Sequence, residues 1–361
     1  MRSLKEETIS FIRRQFLQQV GAKLFQFALP SVASIATTER EKYEIVSDLE
    51  VQHELYIELC ESDNRFKRPP IDYIGGVVKR LVLLLEHLQV DISDDIISYM
   101  LFAMANTKSQ IYFKAPTTPQ FGEVTYLFGK EANWDDKYIT IQENRNVISG
   151  FGTTGYRTWE AALALGEYIL SQKQTEHSEV DVVGKRILEV GAGTGFVSLL
   201  CGKLGAAKVF GTDGFEDIVL RLRRNIEDNE LGNVVETRVY KWGNSSGDDS
   251  GHLLERESRE ADYKYTESVD LILGADITFD TEICELLVKS LDILMTENPH
   301  AQVIISATIR SDETITAFEK FLDRSKIGCT WIPALREPKF FFYTANPSIR
   351  IYFLHRSRTS D

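Results

Sequence analysis

The sequence predicts an α/β fold, with a largely parallel sheet behind an N-terminal α-helical region and a β-hairpin between them. From about Trp159 onward, the apolar runs Arg186–Val190, Lys208–Thr212, Leu271–Ala275 and Gln302–Ser306 are separated by segments long enough to hold helices. That alternation is the order that yields a parallel sheet covered on both faces. Before Ala115 the apolar residues recur at the three-and-four spacing of a helix face instead. Between the two regions, EVTYLF (Glu123–Phe128) and KYITIQ (Lys137–Gln142) alternate like two strands joined by GKEANWDD.

Taken in order, Ile9, Ile12, Phe16 and Val20 mark a first helix face. After Arg68–Pro70, the stretch Ile74–Leu88 is aliphatic at helical spacing, and Asp91-Ile92-Ser93 resembles a cap before Ile96–Met104. This region, residues 1–115, carries no chemical motif and reads as a helical module for packing or for recognising a partner. KAPTTP (Lys114–Pro119) is linker-like, and residues 116–361 form a second domain led by the hairpin. Asn244–Asp262 is polar, as a surface insertion would be. The last two apolar stretches, Cys329–Pro333 and Ser348–Leu354, have no helix between them, so an antiparallel strand at the sheet end is expected.

Bulk composition narrows the function classes. The chain has 361 residues, enough for one or two domains, and its 43% hydrophobic content supports a sizeable core rather than global disorder. No apolar run reaches the roughly 18–20 residues that span a bilayer; the best candidate, Leu81–Leu85, is flanked by Arg80 and Glu86. Glu6 and Glu7 argue against reading the Arg13-Arg14 pattern as a transit peptide. A cytoplasmic monomer without a membrane association is expected. The net charge of −13 disfavours direct nucleic-acid binding, which needs a basic face. Four scattered cysteines and six dispersed histidines give neither a disulfide framework nor a metal centre.

RILEVGAGTGF (Arg186–Phe196) places Gly191, Gly193 and Gly195 between a buried strand and a helix, where absent Cβ atoms allow a tight turn and a close ligand approach. A dinucleotide site would favour glycine where bulky Phe196 stands. VFGTD then ends a strand in Asp213, an acceptor placed to reach both hydroxyls of a ribose. Loop and acid together point to a nucleoside-containing cofactor, with NAD and S-adenosylmethionine both in play. YKWGN sets Trp242 after a third strand-like run, where an indole can flank an adenine. LILGADITFD sets Asp276 at the C-terminal end of a buried strand, the edge at which open α/β sheets bind ligands. Trp159 opens an amphipathic helix and is placed to cover the cofactor.

LEVGAGTG, Asp213, Trp242 and Asp276–Phe279 together resemble the seven-strand S-adenosylmethionine methyltransferases, within them the protein-lysine group bearing a D/E-x-x-Y/F motif. GTTGYRTWEAAL (Gly152–Leu163) and ATIR (Ala307–Arg310), behind a long helical region, resemble eukaryotic elongation factor 2 lysine methyltransferases. The resemblance implies a Rossmann-like seven-strand sheet from about Ile148 onward, S-adenosylmethionine as cofactor, and elongation factor 2 as protein substrate. It implies that Gly191, Gly193 and Gly195 border the methionine end of the cofactor, with Glu189 and Ala275 in the same cofactor-binding set. Asp213 would hold the ribose, Trp242 would lie near the adenine and Trp159 would close the pocket. Asp276 and Phe279 would shape the catalytic lysine channel. Phe279 stands where tyrosine is commoner, so only an aromatic wall can be assigned there.

Lysine methylation needs a neutral amine, although free lysine has a pKa of about 10.4. An apolar channel favours deprotonation, whereas a bare Asp276 carboxylate favours the ammonium, so Asp276 is expected to align the amine rather than to act as general base. Arg310 and Tyr156 are further residues that can face a substrate, and Cys201 reads as core. The competing readings are methylation of another protein or a small molecule, a noncatalytic cofactor-binding partner of a translation factor, and an NAD-dependent dehydrogenase.

Overall fold

The computed structural model describes residues 3–21, 23–61, 66–107, 121–129, 137–144, 154–173, 179–243 and 268–356. The expected linker at 114–119 and surface insertion at 244–262 lie outside these residues. The chain divides into two compact units, residues 1–152 and 153–361.

The first unit is built from α1 (Leu4–Leu17), the single turns α2 (Pro30–Ala33), α3 (Glu39–Lys42) and α4 (Glu44–Ser47), then α5 (Leu49–Cys60), α6 (Ile71–Leu88) and α7 (Asp94–Asn106). Ser3 and Glu6 form a capping box at the start of α1, supplying partners for backbone groups a helix leaves open. Ile12 and Phe16 are buried on its inner face, while Val20, also buried, follows the helix end. Ser93 holds the N-cap position of α7, but its side chain makes no cap bond; its N–H donates to Gln52 Oε1.

The hairpin β1 (Phe121–Leu127) and β2 (Tyr138–Asn144) pairs antiparallel with buried Val124 opposite Ile141. It falls in the first unit, not with the larger sheet it was expected to lead. The reason is local: α1 packs on β1, and the Gln19 amide donates to the Glu123 carbonyl at 2.6 Å.

The second unit runs α8 (Glu160–Gln172), β3 (Arg186–Val190), α9 (Phe196–Lys203), β4 (Lys208–Asp213), α10 (Glu216–Asp228), β5 (Val235–Val239), β6 (Leu271–Ala275), α11 (Thr281–Glu297), β7 (Gln302–Thr308), α12 (Asp312–Arg324), β8 (Ile327–Pro333) and β9 (Ile349–Arg356). Its seven strands lie in the order β5-β4-β3-β6-β7-β9-β8. The first five are parallel, and β9 runs antiparallel to both neighbours.

The antiparallel strand is therefore not at the sheet end, as expected, but one place inside it. Burial explains the exchange. Ile349, Ile351, Tyr352 and Leu354 of β9 are buried, whereas Trp331, Ile332 and Pro333 of β8 are exposed and the proline suits an edge.

Alternate side chains of the inner strands face opposite layers. Leu188 and Val190 pack in the core that α11 and α12 complete with Leu287, Leu291, Phe318 and Leu322. On the other face Glu189 meets Ser198 of α9, and α8 packs on α9 and on β6, β7 and β9. The strand order reverses at β3, with β4 on one side and β6 on the other. In open α/β sheets the crevice beyond such a reversal is where ligands bind.

Candidate active site

A cavity of about 330 Å³ opens at that reversal, beyond the C-terminal ends of β3, β4 and β6. Gly191, Gly193, Glu189, Asp213, Trp242, Ala275, Asp276, Phe279 and Trp159 all line it. Residues remote in sequence thus share one space because three parallel strands end side by side.

Gly195 is the sequence-chosen residue absent from that lining. It is the N-cap of α9, at φ 87°, and a Cβ there would run into Leu222 of α10. Its role is to let two helices approach. Gly191 also has a left-handed φ, 69°, and a Cβ on it would lie 2.5 Å from Ile277 Cγ2 and 3.2 Å from the Trp242 ring. The space these two glycines leave is filled by protein, and the loop backbone forms the cavity wall.

The polar groups are oriented by the backbone around them. Asp213 accepts from Gly193 N at 3.1 Å through Oδ2 and from Phe215 N at 3.2 Å through Oδ1. Desolvation raises its carboxyl above the ordinary aspartate range despite these bonds. The Gly214 backbone also favours the ionised form, so three backbone contacts hold this carboxyl. One oxygen of Glu189 accepts from both the N–H and the hydroxyl of Ser198, clamping β3 to α9, and burial pushes this carboxyl up to about 7. Trp242 Nε1 is buried with no hydrogen-bond partner among the described residues. Trp159 caps α8 and donates from Nε1 to the Thr154 carbonyl at 3.0 Å.

Asp276 has a left-handed backbone, φ 58°, which aspartate tolerates better than most residues. Its N–H donates to the Ser306 carbonyl, and Asp280, four residues on, caps α11 through Oδ1. The motif is thus pinned at both ends. The Asp276 side chain is only 5% exposed and is held by Arg310: Nη1 lies 2.8 Å from Oδ1 and Nη2 2.6 Å from Oδ2. Thr308 N donates to Oδ1 as well. The Arg310 guanidinium lies 5.1 Å from the Trp159 ring centre. Phe279 sits at the rim, half exposed.

The sequence offers Arg310 as a residue that can face a substrate. Its signal was ATIR at the end of a strand, but nothing in the spacing indicates that Arg310 and Asp276, 34 residues apart, form a bidentate pair. Tyr156 does not line the cavity; its hydroxyl donates to Asp217. Cys201 is buried in α9 as expected, with its thiol pushed up by burial. Among the described residues no cluster of His, Cys, Asp and Glu is placed to hold a metal ion, and no helix is long and apolar enough to cross a membrane.

Comparison with known proteins decides between the cofactor classes. A family model described as lysine methyltransferase matches residues 134–324, just over half of the chain. The chain belongs to the lysine methyltransferase family. Protein-lysine N-methyltransferase EFM3 of Chaetomium thermophilum is 33% identical over 327 residues, spanning 87% of this chain and 92% of its own. EFM3 of Saccharomyces cerevisiae is 32% identical over 229 residues, 60% of each chain. EEF1A lysine methyltransferase 3 of Xenopus tropicalis is 30% identical over 166 residues, 45% of this chain and 62% of its own. This lysine methyltransferase is an S-adenosylmethionine-dependent enzyme that acts on protein lysine. The dehydrogenase and noncatalytic readings end here.

The cavity also fits the cofactor on chemical grounds. It offers a strand-end carboxylate, an indole whose N–H has no partner among the described residues, and a glycine-bearing loop on its wall.

Proposed function

We propose that the enzyme methylates a lysine of elongation factor 2, with the cofactor and the target amine meeting in this cavity. The observation that carries the reading is that one continuous space is lined by Asp213 and Trp242 at β4 and β5 and by Asp276 and Phe279 after β6. In this reading Asp213 binds the ribose hydroxyls, Trp242 walls the adenine, and Gly191 and Gly193 border the methionine end. Trp159 closes the pocket, and Ala275 belongs to its wall. Glu189 contributes by fixing the loop through α9, and Gly195 by seating α10, so neither needs to touch the cofactor.

When bound, S-adenosylmethionine supplies a methyl group on a positively charged sulfur, so no side chain has to create the leaving group. The work left to the protein is alignment of a neutral amine in a dry channel, where proximity and orientation supply most of the acceleration. Phe279 excludes water at the rim and Asp276 accepts an amine N–H. The amine loses its proton to solvent before alignment.

Elongation factor 2 is supported by the GTTGYRTWEAAL and ATIR stretches and by the helical unit ahead of the sheet. Elongation factor 1A is the second reading, favoured by the name of the Xenopus relative, whose match spans 45% of this chain. The test offers purified elongation factors 2 and 1A, from cells lacking the enzyme, with labelled S-adenosylmethionine. Lysine label in factor 2 alone is expected. Label in factor 1A alone would replace the substrate and keep the chemistry.

A further inference from the structure

Asp276 presents an electrostatic problem that the described charges resolve. A bare carboxylate within about 4–6 Å of a lysine amine holds it as ammonium, raising its proton affinity by roughly 1–3 pH units. An ammonium has no lone pair to offer a methyl group. Yet the amine needs an acceptor to be aligned.

Arg310 meets both demands. A carboxylate has about four acceptor sites, two on each oxygen. Oδ1 of Asp276 is filled by Arg310 Nη1 at 2.8 Å and Thr308 N at 3.3 Å. Among the described residues Oδ2 carries only Arg310 Nη2, at 2.6 Å, and so keeps one site open. The fork fixes the carboxylate plane, a service that a point charge such as lysine does not give. The guanidinium is itself held 5.1 Å from the ring centre of Trp159, a residue that lines the cavity.

We infer that Arg310 is a positioning residue which aims the open Oδ2 site at the substrate amine and cancels the carboxylate charge, so that the amine is received uncharged. This inference rests on the proposed role of Asp276. The other charged groups nearby do not undo the balance. Glu160 and Arg157, at the start of α8, pair with each other at 3.1 Å. Asp280 is occupied in capping α11. Asp213, Glu189 and Lys241 stand elsewhere on the cavity wall.

The test is the pH dependence of methyl transfer to the protein band that the wild-type enzyme labels in lysate from cells lacking it. R310M is expected to move the alkaline rise of kcat, which reports ionisation within the enzyme–substrate complex, upward by about one pH unit, a roughly tenfold loss at neutral pH that recovers at high pH. R310K, which restores the charge but not the fork, is expected to return the midpoint while remaining slower at every pH. Calorimetric titration with S-adenosylhomocysteine checks that each variant keeps its cofactor site. R310Q serves in the same way if R310M does not fold. A uniform loss at all pH values, with the midpoint unmoved, overturns the inference and leaves Arg310 as a structural brace. Absence of lysine label with the wild-type enzyme would instead remove the functional reading beneath it.

Discussion

At the scale of residues, two buried carboxylates on neighbouring strand ends have different partners. Asp276 pairs with the Arg310 cation, whereas among the described residues the buried Glu189 carboxyl has only Ser198 for a partner. Burial therefore wins at Glu189 and lifts its carboxyl from an ordinary 4.5 to about 7. The folded state binds the proton more tightly than the unfolded state. Its stabilising contribution is thus fully present below about pH 4.5 and is lost as pH rises through about 7. A gap of that size corresponds to on the order of 3 kcal/mol. Glu189→Gln, a mimic of the protonated acid, should be free of this term. Urea unfolding across about pH 4.5–8 is expected to show the wild type losing stability relative to the variant as pH rises. Parallel curves would contradict it. Most of the candidate residues were legible in the sequence because loop, strand-end acid and motif each sit at the end of an apolar run. The capture of Asp276 by Arg310 was not, since it depends on β6 and β7 being neighbours in register.

At the scale of elements, the order of strands and helices followed from hydrophobic alternation, and the hairpin from its two-residue period. Pairing order did not. β9 is placed inside β8 because its buried alternation suits an interior position, and sequence alone does not reveal which of two trailing strands reaches the sheet first. The buried Glu167 of α8 adds a link that no motif announces: it accepts from the N–H groups of Lys339, Phe340 and Phe341, tying down the β8–β9 connection. Gly195 was expected to face a ligand and instead seats α10 against α9. Gly195→Ala should destabilise the fold by about 2 kcal/mol or more, from the left-handed backbone and the clash with Leu222 combined. In a Leu222→Ala background the same substitution should be milder, because the clash is gone and only the backbone term remains. Strictly additive losses in urea unfolding would show that Leu222 is not the obstacle.

At the scale of the whole molecule, a mostly parallel sheet supplies the chemistry, and a helical unit with its own hairpin precedes it in sequence. The chemistry was readable because it concentrates in short motifs at strand ends. The unit boundary was not, since the hairpin's membership is decided by contacts with α1 rather than by anything within its own strands. Substrate choice is a property of surface shape and charge, which short motifs do not encode. The central claim is a division of labour within one cavity, with the cofactor held at β4 and β5 and the amine aligned after β6. It is tested most directly on Asp276→Asn by measuring S-adenosylmethionine affinity calorimetrically alongside the rate of lysine labelling. Affinity within about twofold of wild type, with transfer reduced at least about a hundredfold, is expected if Asp276 acts on the amine alone. Equal loss of affinity and transfer, or full transfer by the variant, would contradict that division.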